Sequence, residues 1–399
     1  MKIILLVGKF PQLSETFIIR KASGLAQAGH EVLVMSRRRG DKNIWKSFTK
    51  NFKVEYLAVE AGPISITDLS WTLYRLLFYS LLFPFRAYKL FQSCSNEGSL
   101  KLGFKKYIKY LPFINKNKFD ILHAEFLGLG VSYFFLKSFM GINYVTSCRG
   151  SDLHLVKISS EEKRENYALT IKSCDMVHCV SDEMRECVHQ LTARTQNVIV
   201  NRPAVDEASL AYRIETINQI PQLISIGRLE WIKGFDYLLK SYAILKERGL
   251  SFQALIIGGG SLYKELKFSI EDLNIQDRVK LTGPVYHNEI KKIIRQADIF
   301  VLSSVDEGIS NAVLEAMAQE IAVVSTMCGG MPEVISSGID GLLVPARDPF
   351  AMADAITYFL HSPGMRKTMG KNAKNKIEQD FTIARQIQVF ENSYKNLLS

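Results

Sequence analysis

The sequence predicts an α/β protein of two Rossmann-like domains, each built on a doubly wound parallel sheet. Three observations predict this fold: the chain length, a series of strand-like apolar runs, and the helical segments between them. The chain has 399 residues, and a single core usually stops growing beyond about 250 residues. Two domains are therefore expected. Hydrophobic residues make up 47% and charged residues 23% of the chain, which is ordinary globular usage.

The first half begins with a predicted βαβ unit. We expect a buried strand at K-I-I-L-L-V, a helix at S-E-T-F-I-I-R-K-A-S-G-L-A-Q-A and a returning strand at E-V-L-V-M-S. Ser14 is the expected N-cap of the helix, and Gly29 is expected to end it. Further strand-like runs follow at residues 119–124, 142–147, 176–181 and 197–200.

A second series of strand-like runs follows a polar linker predicted near residues 202–221. The runs are residues 222–227, 252–258, 279–283, 298–303, 322–326 and 341–345. Strands that alternate with helices form parallel sheets, and ligands bind beyond the carboxyl ends of such strands. The cleft between the two domains is therefore the expected site.

The start of the chain and its cysteines indicate the cytoplasm. The apolar start Ile3–Val7 has five residues, fewer than the about seven that a secretory segment needs. The six cysteines form no C-x-x-C, which suits a reducing compartment. The residues that raise the question of zinc are Cys174, His178, Cys179, Cys187 and His189. Strand alternation sends His178 and Cys179 to opposite faces, so zinc is not expected.

Positive charge is concentrated in the first half. Residues 1–200 carry 28 Lys or Arg against 17 Asp or Glu, and residues 201–399 carry 22 against 23. The cluster Lys101, Lys105, Lys106, Lys109, Lys116 and Lys118 follows a bulky apolar stretch at residues 71–91. Its longest uncharged run, Leu76–Phe85, has ten residues, too few to span a bilayer. The pattern suits a surface resting on anionic lipid or a core helix pair with a solvated basic face. No nucleic-acid partner is expected, since no reader motif accompanies the charge.

Two cations follow the first strand of the second series. Arg228 and Lys233 stand in G-R-L-E-W-I-K-G, on a strand-to-helix loop at the carboxyl edge of the sheet. Arginine can bind two phosphate oxygens at once and lysine adds a point charge, so the pair suits a diphosphate. No G-x-G-x-x-G follows the first strand, and no D-x-D occurs anywhere. A dinucleotide cofactor and a metal are therefore not expected.

Two glutamates belong to another loop at the same edge. Glu307 lies in the loop, and Ser310 or Asn311 begins a helix whose free N–H groups favour an anion. Glu315 lies one turn further on, among apolar residues, where an ionised carboxylate needs a partner. That partner is either a vicinal diol such as that of ribose or a basic residue. Glu307 is either a sugar contact or a solvated turn residue.

These segments together resemble the family-4 retaining glycosyltransferases, which have the GT-B fold. The resemblance rests on the E-x7-E run and the upstream G-R-L-x-x-x-K-G. It extends to D-I-L-H-A (120–124), R-G-S-D (149–152), G-G-M-P-E (329–333) and D-G-L-L-V-P (340–345). The start, F-P-Q-L-S-E-T-F (10–17), resembles a subgroup that acts in bacterial exopolysaccharide and lipopolysaccharide assembly, including colanic-acid-type enzymes.

The resemblance implies a domain division and a role for each candidate residue. It implies an acceptor-side domain at residues 1–202, a nucleotide-sugar-binding domain at 203–380, and a final helix at 381–399 that packs back on the first domain. The implied catalytic residues are Glu307, His123, Arg228 and Lys233. The implied donor-binding residues are Arg228, Lys233, Gly308, Ile309, Ser310, Asn311 and Glu315. The implied acceptor-side residues are Ser14, Glu15, Thr16, Arg149 and Asp152.

The sequence departs from the family pattern at two places. Glu125 stands where many relatives have a second histidine, and residues 10–17 lack the glycine-rich loop that many relatives have. Both departures fall on the acceptor side.

The expected function is transfer of a hexosyl group, with retained anomeric configuration, from a UDP- or GDP-sugar to a hydroxyl of a glycan or lipid-linked glycan. No residue is compelling as a covalent nucleophile, so a same-face substitution fits better, in which the leaving phosphate accepts the acceptor's proton. No cofactor is expected, and the inner face of the cell membrane is a candidate partner surface. The alternatives are a sugar-nucleotide epimerase of similar fold and a non-catalytic sugar-nucleotide-binding protein.

Overall fold

Two parallel β-sheets, one in each half of the chain, organise the fold. The computed structural model describes residues 1–47, 51–57, 74, 76–95, 100–116, 118–154, 156, 159–206, 209–210 and 218–399. The strands of the first sheet are β1 (Lys2–Phe10), β2 (Glu31–Arg39), β3 (Lys53–Tyr56), β4 (Ile121–Ala124), β5 (Asn143–Cys148), β6 (Met176–Cys179) and β7 (Val198–Val200). The strands of the second sheet are β8 (Gln222–Ile226), β9 (Gln253–Ile257), β10 (Val279–Gly283), β11 (Ile299–Leu302), β12 (Ala322–Thr326) and β13 (Leu342–Val344).

The strand order reverses beside the first strand of each sheet. The first sheet runs β3-β2-β1-β4-β5-β6-β7, and the second runs β10-β9-β8-β11-β12-β13. The strand pairs described in both sheets are parallel. The predicted fold class, two doubly wound α/β sheets, is confirmed. In such a sheet the loops beyond the carboxyl ends at the reversal point form the binding crevice.

Helices connect the strands in both halves. Those of the first half are α1 (Thr16–Gln27), α2 (Pro84–Ser95), α3 (Leu100–Tyr110), α4 (Leu127–Ser132), α5 (Leu136–Met140), α6 (Ser151–His154), α7 (Glu161–Ser173) and α8 (Asp182–Thr192). Those of the second half are α9 (Phe235–Glu247), α10 (Tyr263–Asp272), α11 (His287–Gln296), α12 (Asn311–Ala318), α13 (Met331–Val334), α14 (Pro349–His361), α15 (Pro363–Asp380) and α16 (Ile383–Leu398).

The first helix begins later than the sequence predicts. α1 starts at Thr16, its N-cap residue is Glu15, and no side chain caps it. The prediction that Ser14 is the N-cap is therefore wrong, because the chain leaves β1 through a short 3-10 turn, Leu13–Glu15. The Ser14 side chain lies outside the described part of the structure.

The last helix, α16, packs against α1 and the first sheet. Phe390 is 1% exposed and belongs to the same core as Ile3 of β1. The two helices approach closely at Gly24, where a Cβ would lie only 2.6 Å from Ile387 Cγ1. A glycine at this position of α1 therefore allows α16 to lie in contact with it.

An exposed apolar patch lies on the helical segment of residues 76–88. Leu81 and Phe85 are each 78% exposed. The patch consists of Leu77, Phe78, Leu81, Leu82, Phe85 and Tyr88. The opposite side of α2 is buried in the first core, where Leu90 and Cys94 lie with Tyr107 of α3. Residues 71–73 and 75, which belong to the stretch singled out in the sequence, lie outside the described residues, as do the side chains of Lys101 and Lys105.

One lysine of the predicted basic surface is buried. Lys116 is buried, and its Nζ donates to Glu55 Oε1 at 2.7 Å. Lys89 and Lys118 are exposed, and Lys106 and Lys109 are partly exposed. Within the described ranges, no helix is both long enough and apolar enough to cross a bilayer.

Replacing Phe390 by alanine tests how much α16 stabilises the first half. Because the ring is fully packed, Phe390→Ala should lower the free energy of unfolding by about 3 to 5 kcal/mol. Urea denaturation followed by circular dichroism measures this loss. Phe350→Ala is the matched control, since Phe350 on α14 is 65% exposed and its loss should change stability by less than about 0.5 kcal/mol. Equal effects of the two replacements would contradict a stabilising role for α16.

Candidate functional site

A cleft of about 560 Å³ lies between loops of the two halves. One wall comes from the segments that follow β1 and β5, and the other from those that follow β8 and β11. The predicted site residues that line the cleft are Glu15, Thr16, Arg149, Asp152, Arg228, Lys233, Glu307, Gly308, Ile309, Ser310, Asn311 and Glu315. The carboxyl edges of the two sheets thus bring together residues that are far apart in the sequence.

Arg228 and Lys233 supply positive charge to the second wall. Lys233 ends the 3-10 turn Trp231–Lys233, and Gly234 then turns the chain into α9 with a φ of 59°. Lys233 Nζ contacts Glu307 Oε1. The Arg228 side chain is exposed and makes no hydrogen bond or ion pair with any residue that the structure describes. Arg228 is therefore available to an anionic ligand.

Glu307 lies where the two walls meet. Its Oε1 accepts hydrogen bonds from Lys233 Nζ and, at 3.0 Å, from Ser304 Oγ. Its Oε2 accepts none from the described residues. The next residue, Gly308, touches the opposite wall: a Cβ there would lie 2.8 Å from Val180 Cγ2 and 3.0 Å from Gly150 N. Only glycine allows the two loops to come this close.

The N-terminus of α12 opens onto the same place. Ser310 is its N-cap residue, but the Ser310 side chain makes no capping hydrogen bond. The first N–H groups of the helix are therefore left for an external acceptor. Together with the positive end of the helix dipole, they favour an anion beside Arg228 and Lys233.

Glu315 has a basic partner from the other half of the chain. Its Oε1 lies 2.6 Å from Arg20 Nη2 of α1. Arg20 Nε also lies 3.3 Å from Asp206 Oδ2, and Lys291 Nζ lies 2.9 Å from Asp206 Oδ1. The pairing with a basic residue, one of the two alternatives for Glu315, is thus present. Glu315 Oε2 accepts no hydrogen bond from a described residue and remains available at the cleft.

His123 lies outside this cleft, fully buried at the end of β4. Its Nδ1 faces Tyr394 Oη at 2.6 Å and Lys21 Nζ at 3.1 Å, and its Nε2 faces Ser147 Oγ at 2.7 Å. Ser147 Oγ in turn lies 2.8 Å from His178 Nδ1. Both ring nitrogens of His123 are therefore occupied. Its contact with substrate stays a prediction that this arrangement does not support.

The backbone carbonyl of Asn201 fixes which nitrogens of His178 and His123 carry a proton, because a carbonyl oxygen can only accept a hydrogen bond. His178 Nε2 lies 2.8 Å from the carbonyl oxygen of Asn201, so Nε2 carries the proton and donates. Burial and nearby cations hold the pKa of both His123 and His178 well below the usual value, so both rings are neutral. Ser147 then donates to His178, and His123 donates from Nε2 to Ser147. His123 Nδ1 is left as the acceptor for Lys21 and Tyr394.

Arg149 and Asp152 line the first wall. The Arg149 guanidinium lies 4.1 Å from the centre of the Phe17 ring, a cation–π contact. Asp152 Oδ2 accepts from Arg149 N at 3.2 Å and Leu127 N at 3.4 Å. Burial raises the pKa of Asp152 to about 6. Burial likewise raises the pKa of Glu15, which lies nearby.

His154 links the two walls beside Glu307. Its Nδ1 contacts Asp306 Oδ1 of the second half, and its Nε2 lies 2.7 Å from Glu183 Oε1 of the first. Burial disfavours the charged ring, but hydrogen bonds to Asp306, Cys187 and Glu183 raise the pKa of His154 to about 11. A protonated His154 thus lies between two carboxylates.

Three side chains near the cleft are of types that can bind a metal ion and lie close together. Among the described residues, His154, Glu183 and Cys187 place their ligand atoms within 4.8 Å. Cys187 Sγ donates to Glu183 Oε1 at 3.2 Å, and His154 already donates to the same oxygen. Hydrogen bonding among the three accounts for their geometry without an ion.

Family models match both halves of the chain. The model described as Glycosyltransferase Family 4 matches residues 14–209, and the model described as Glycosyl transferases group 1 matches residues 213–376. The chain belongs to the family-4 glycosyltransferases.

Known proteins resemble this glycosyltransferase over most of its length. A protein of Escherichia coli K12 named as a colanic acid biosynthesis glycosyltransferase is 27% identical over 401 residues, 96% of each chain. A UDP-Gal:alpha-D-GlcNAc-diphosphoundecaprenol alpha-1,3-galactosyltransferase of Escherichia coli is 24% identical over 371 residues, 88% of this chain and 90% of the relative. The structure of an Anabaena protein in complex with UDP-glucose matches with a TM-score of 0.75, at 16% identity and 99% of each chain. The predicted family and GT-B fold are confirmed.

Several residues of this glycosyltransferase's site were not singled out by sequence reasoning. Arg20 pairs with Glu315 across 295 sequence positions, and no local spacing indicates such a contact. The available signal was the pair of charges Arg20 and Lys21 inside an otherwise apolar stretch of α1. His154 carried no comparable signal, because it lies near no recognised motif residue other than Asp152.

The link through His154 should make stability depend on pH. The folded-state pKa is raised above the unfolded value, so the stabilisation is fully present below about pH 6.5 and is lost as pH rises toward the folded pKa. We expect the difference in unfolding free energy between wild type and His154→Gln to be largest near about pH 6 and to shrink toward about pH 9. Urea denaturation at each pH measures it. His361→Gln, at an exposed position of α14, is the control, and a pH-independent difference for His154→Gln would contradict the link.

Proposed function

We propose that this glycosyltransferase moves a hexosyl group from a UDP- or GDP-sugar to a hydroxyl of a glycan or lipid-linked glycan, in the assembly of a cell-surface polysaccharide. The observation that carries the proposal is the cleft, in which cations and a helix N-terminus on one wall face Arg149 and Asp152 on the other. A nucleotide diphosphate and an acceptor hydroxyl require these two kinds of surface.

The second wall suits the donor. Arg228 has no partner among the described residues, Lys233 has only Glu307 as a side-chain partner, and the α12 N-terminus adds N–H donors. Together they can neutralise a leaving diphosphate without a metal ion. Glu315 Oε2, which has no partner among the described residues, is proposed to accept from a ribose hydroxyl, while Oε1 stays with Arg20. Gly308, Ile309 and the rest of the loop to Asn311 would lie along the donor.

Glu307 is the proposed contact to the donor sugar. When a diphosphate draws Lys233 toward its oxygens, Glu307 Oε1 keeps only its hydrogen bond from Ser304 Oγ, and the carboxylate can accept from sugar hydroxyls. Configuration is proposed to be retained through a same-face substitution, in which the leaving phosphate accepts the acceptor's proton. Glu15, Thr16, Arg149 and Asp152 are proposed to shape the acceptor side.

The relatives favour a glycan acceptor. One is named for colanic acid biosynthesis, and another is named for transfer of galactose from UDP-Gal to a sugar on diphosphoundecaprenol. These names support a growing or lipid-linked glycan over a small-molecule acceptor. They support a UDP-sugar as the first donor to test.

Nucleotide release from a panel of UDP- and GDP-sugars tests the proposal. We expect slow release of UDP or GDP from one donor, with water as a poor acceptor, and faster release when a lipid-linked glycan extract is added. Glu307→Ala should lose about 100-fold or more of this turnover while still binding the nucleotide. Lys233→Ala should weaken nucleotide affinity about 10- to 100-fold, because a charge-assisted hydrogen bond is lost.

Matched replacements separate these effects from general damage. Lys240→Ala and Glu271→Ala change the same residue types at exposed positions of α9 and α10, and both should retain wild-type turnover. Absence of turnover with every donor, with and without glycan extract, would contradict the proposal. Nucleotide binding without turnover would favour the non-catalytic alternative, and a new sugar epimer formed from donor alone would favour the epimerase.

We infer that the apolar patch rests on an anionic bilayer, where a lipid-linked acceptor would be presented. Leu81 and Phe85 lie at its centre, and Lys89 follows Phe85 by one helical turn. Lys106 and Lys109 lie on α3, which packs beside α2 through Phe91 and Tyr107 at a ring distance of 5.6 Å. Bulky apolar side chains flanked by lysines suit the interface of an anionic membrane.

Vesicle binding tests this surface. Leu81→Glu and Phe85→Glu should each weaken binding to phosphatidylglycerol-containing vesicles about 10-fold or more, because each removes a side chain worth roughly 1.5 to 3 kcal/mol on burial. Binding should also fall as salt is raised. Phe350→Glu, at an exposed position of the second half, should bind as wild type does. Wild-type protein that does not sediment with these vesicles would contradict the inference.

A further inference from the structure

We propose that Glu125 is a positioning residue for the transfer reaction, acting by fixing the Arg149 guanidinium at the cleft. The proposal rests on the function proposed above and adds a residue that touches no substrate. Glu125 is fully buried, and the cleft lining in the described part of the chain includes Arg149 but not Glu125. Glu125 therefore lies behind the wall that Arg149 forms.

Glu125 holds Arg149 at two of its three guanidinium nitrogens. Glu125 Oε2 lies 2.8 Å from Arg149 Nη2, and the Glu125 backbone oxygen accepts from Arg149 Nε at 3.0 Å. A guanidinium fixed at two nitrogens by one residue has its plane and direction set. The Phe17 ring covers one face of that plane at 4.1 Å. Arg149 is therefore held from behind and from one face.

The remaining nitrogen of Arg149 is left for a ligand. Arg149 Nη1 donates to no residue that the structure describes, and the Arg149 side chain is 16% exposed. The next residue, Gly150, abuts the opposite wall, where a Cβ on Gly150 would lie 2.8 Å from Gly308 N. Arg149 thus lines the same cleft as Glu307 and Gly308, where the sugar and the acceptor hydroxyl would meet.

The charge of Glu125 is itself held by a second cation. Glu125 Oε1 lies 2.6 Å from Lys21 Nζ. Although burial opposes ionisation, Lys21 and Arg149 hold the pKa of Glu125 below its usual value. A neutral residue at this position would leave Lys21 and Arg149 without a counter-charge between them. Glu125 thus stabilises the buried charge of Lys21 and holds the Arg149 guanidinium at the cleft.

The test replaces Glu125 together with Lys21, so that one negative and one positive charge are removed at once. The double replacement Lys21→Met with Glu125→Leu deletes the buried pair without leaving a fully buried charge unpaired, and Lys21→Met alone gives its reference. We expect kcat to fall about 10- to 100-fold relative to that reference, since a misplaced positioning group costs this much. Affinity for UDP or GDP should stay within about 2-fold, because Arg228 and Lys233 are untouched.

Two comparisons separate positioning from a merely structural role. If Glu125 acts through Arg149, the double replacement should lower kcat no further in an Arg149→Met background. In the Lys21→Met background, Glu125→Gln, whose amide oxygen can still accept from Arg149 Nη2, should recover most of the turnover that Glu125→Leu loses. Thermal unfolding checks that each variant is folded. Should the double replacement not fold, Lys21→Met with Glu125→Met, whose unbranched side chain is closer in shape to glutamate, takes its place in the same comparisons.

The proposal would be overturned if the double replacement kept the wild-type kcat. It would also be overturned if the double replacement lowered kcat by the same factor in the Arg149→Met background as in its absence. The position of Arg149 is also measurable without turnover, from crystal structures of wild type and double replacement with UDP or GDP bound. A displaced Arg149 supports the proposal, and an unmoved one overturns it. If the wild type turns over no donor, that result counts against the proposed function, and the crystallographic comparison still decides the role of Glu125.

Discussion

The burial of two adjacent cations on α1 is the constraint on which the arrangement of this glycosyltransferase depends. Arg20 and Lys21 are both buried, and an unpaired buried charge costs several kcal/mol. Each therefore requires a carboxylate, and the two carboxylates come from different places: Glu315 of the second half for Arg20, and Glu125 of the first half for Lys21. The first pair joins the two halves, and the second organises the wall of the cleft. The position of α1 thus governs both.

The charged groups of the cleft are only partly paired with one another. Glu315 and Glu307 each use one oxygen within the protein and leave the other without a partner among the described residues. The Arg228 side chain and Arg149 Nη1 likewise have no partner among the described residues. Apart from the contact between Lys233 and Glu307, the groups that a nucleotide sugar would need are therefore held in place by contacts that binding does not have to break. Such pre-organisation lowers the cost of fixing a ligand.

Sequence reasoning predicted what depends on local pattern. Apolar runs predicted most strands of both sheets, and the loops carrying Arg228, Lys233 and Glu307 were placed at the correct edge because strand direction fixes where loops emerge. The strand β3 was missed, since K-V-E-Y is short, half polar and at the edge of its sheet. The Ser14 cap was wrong because a 3-10 turn precedes α1. The ion pairs of Glu315 and Glu125 with Arg20 and Lys21 could not be predicted from the sequence, because only tertiary packing brings α1 to these glutamates.

The pair of Lys21 and Glu125 also constrains how this chain can change over evolutionary time. Because both side chains are buried and touch at 2.6 Å, losing the Glu125 carboxylate alone leaves Lys21 unpaired in a low-dielectric interior. Loss of Lys21 alone leaves Glu125 paired with Arg149, so Lys21 has to change before position 125 can become neutral. Residues 21 and 125 are separated by 104 positions, yet we expect them to vary together among related chains, as if they were one site.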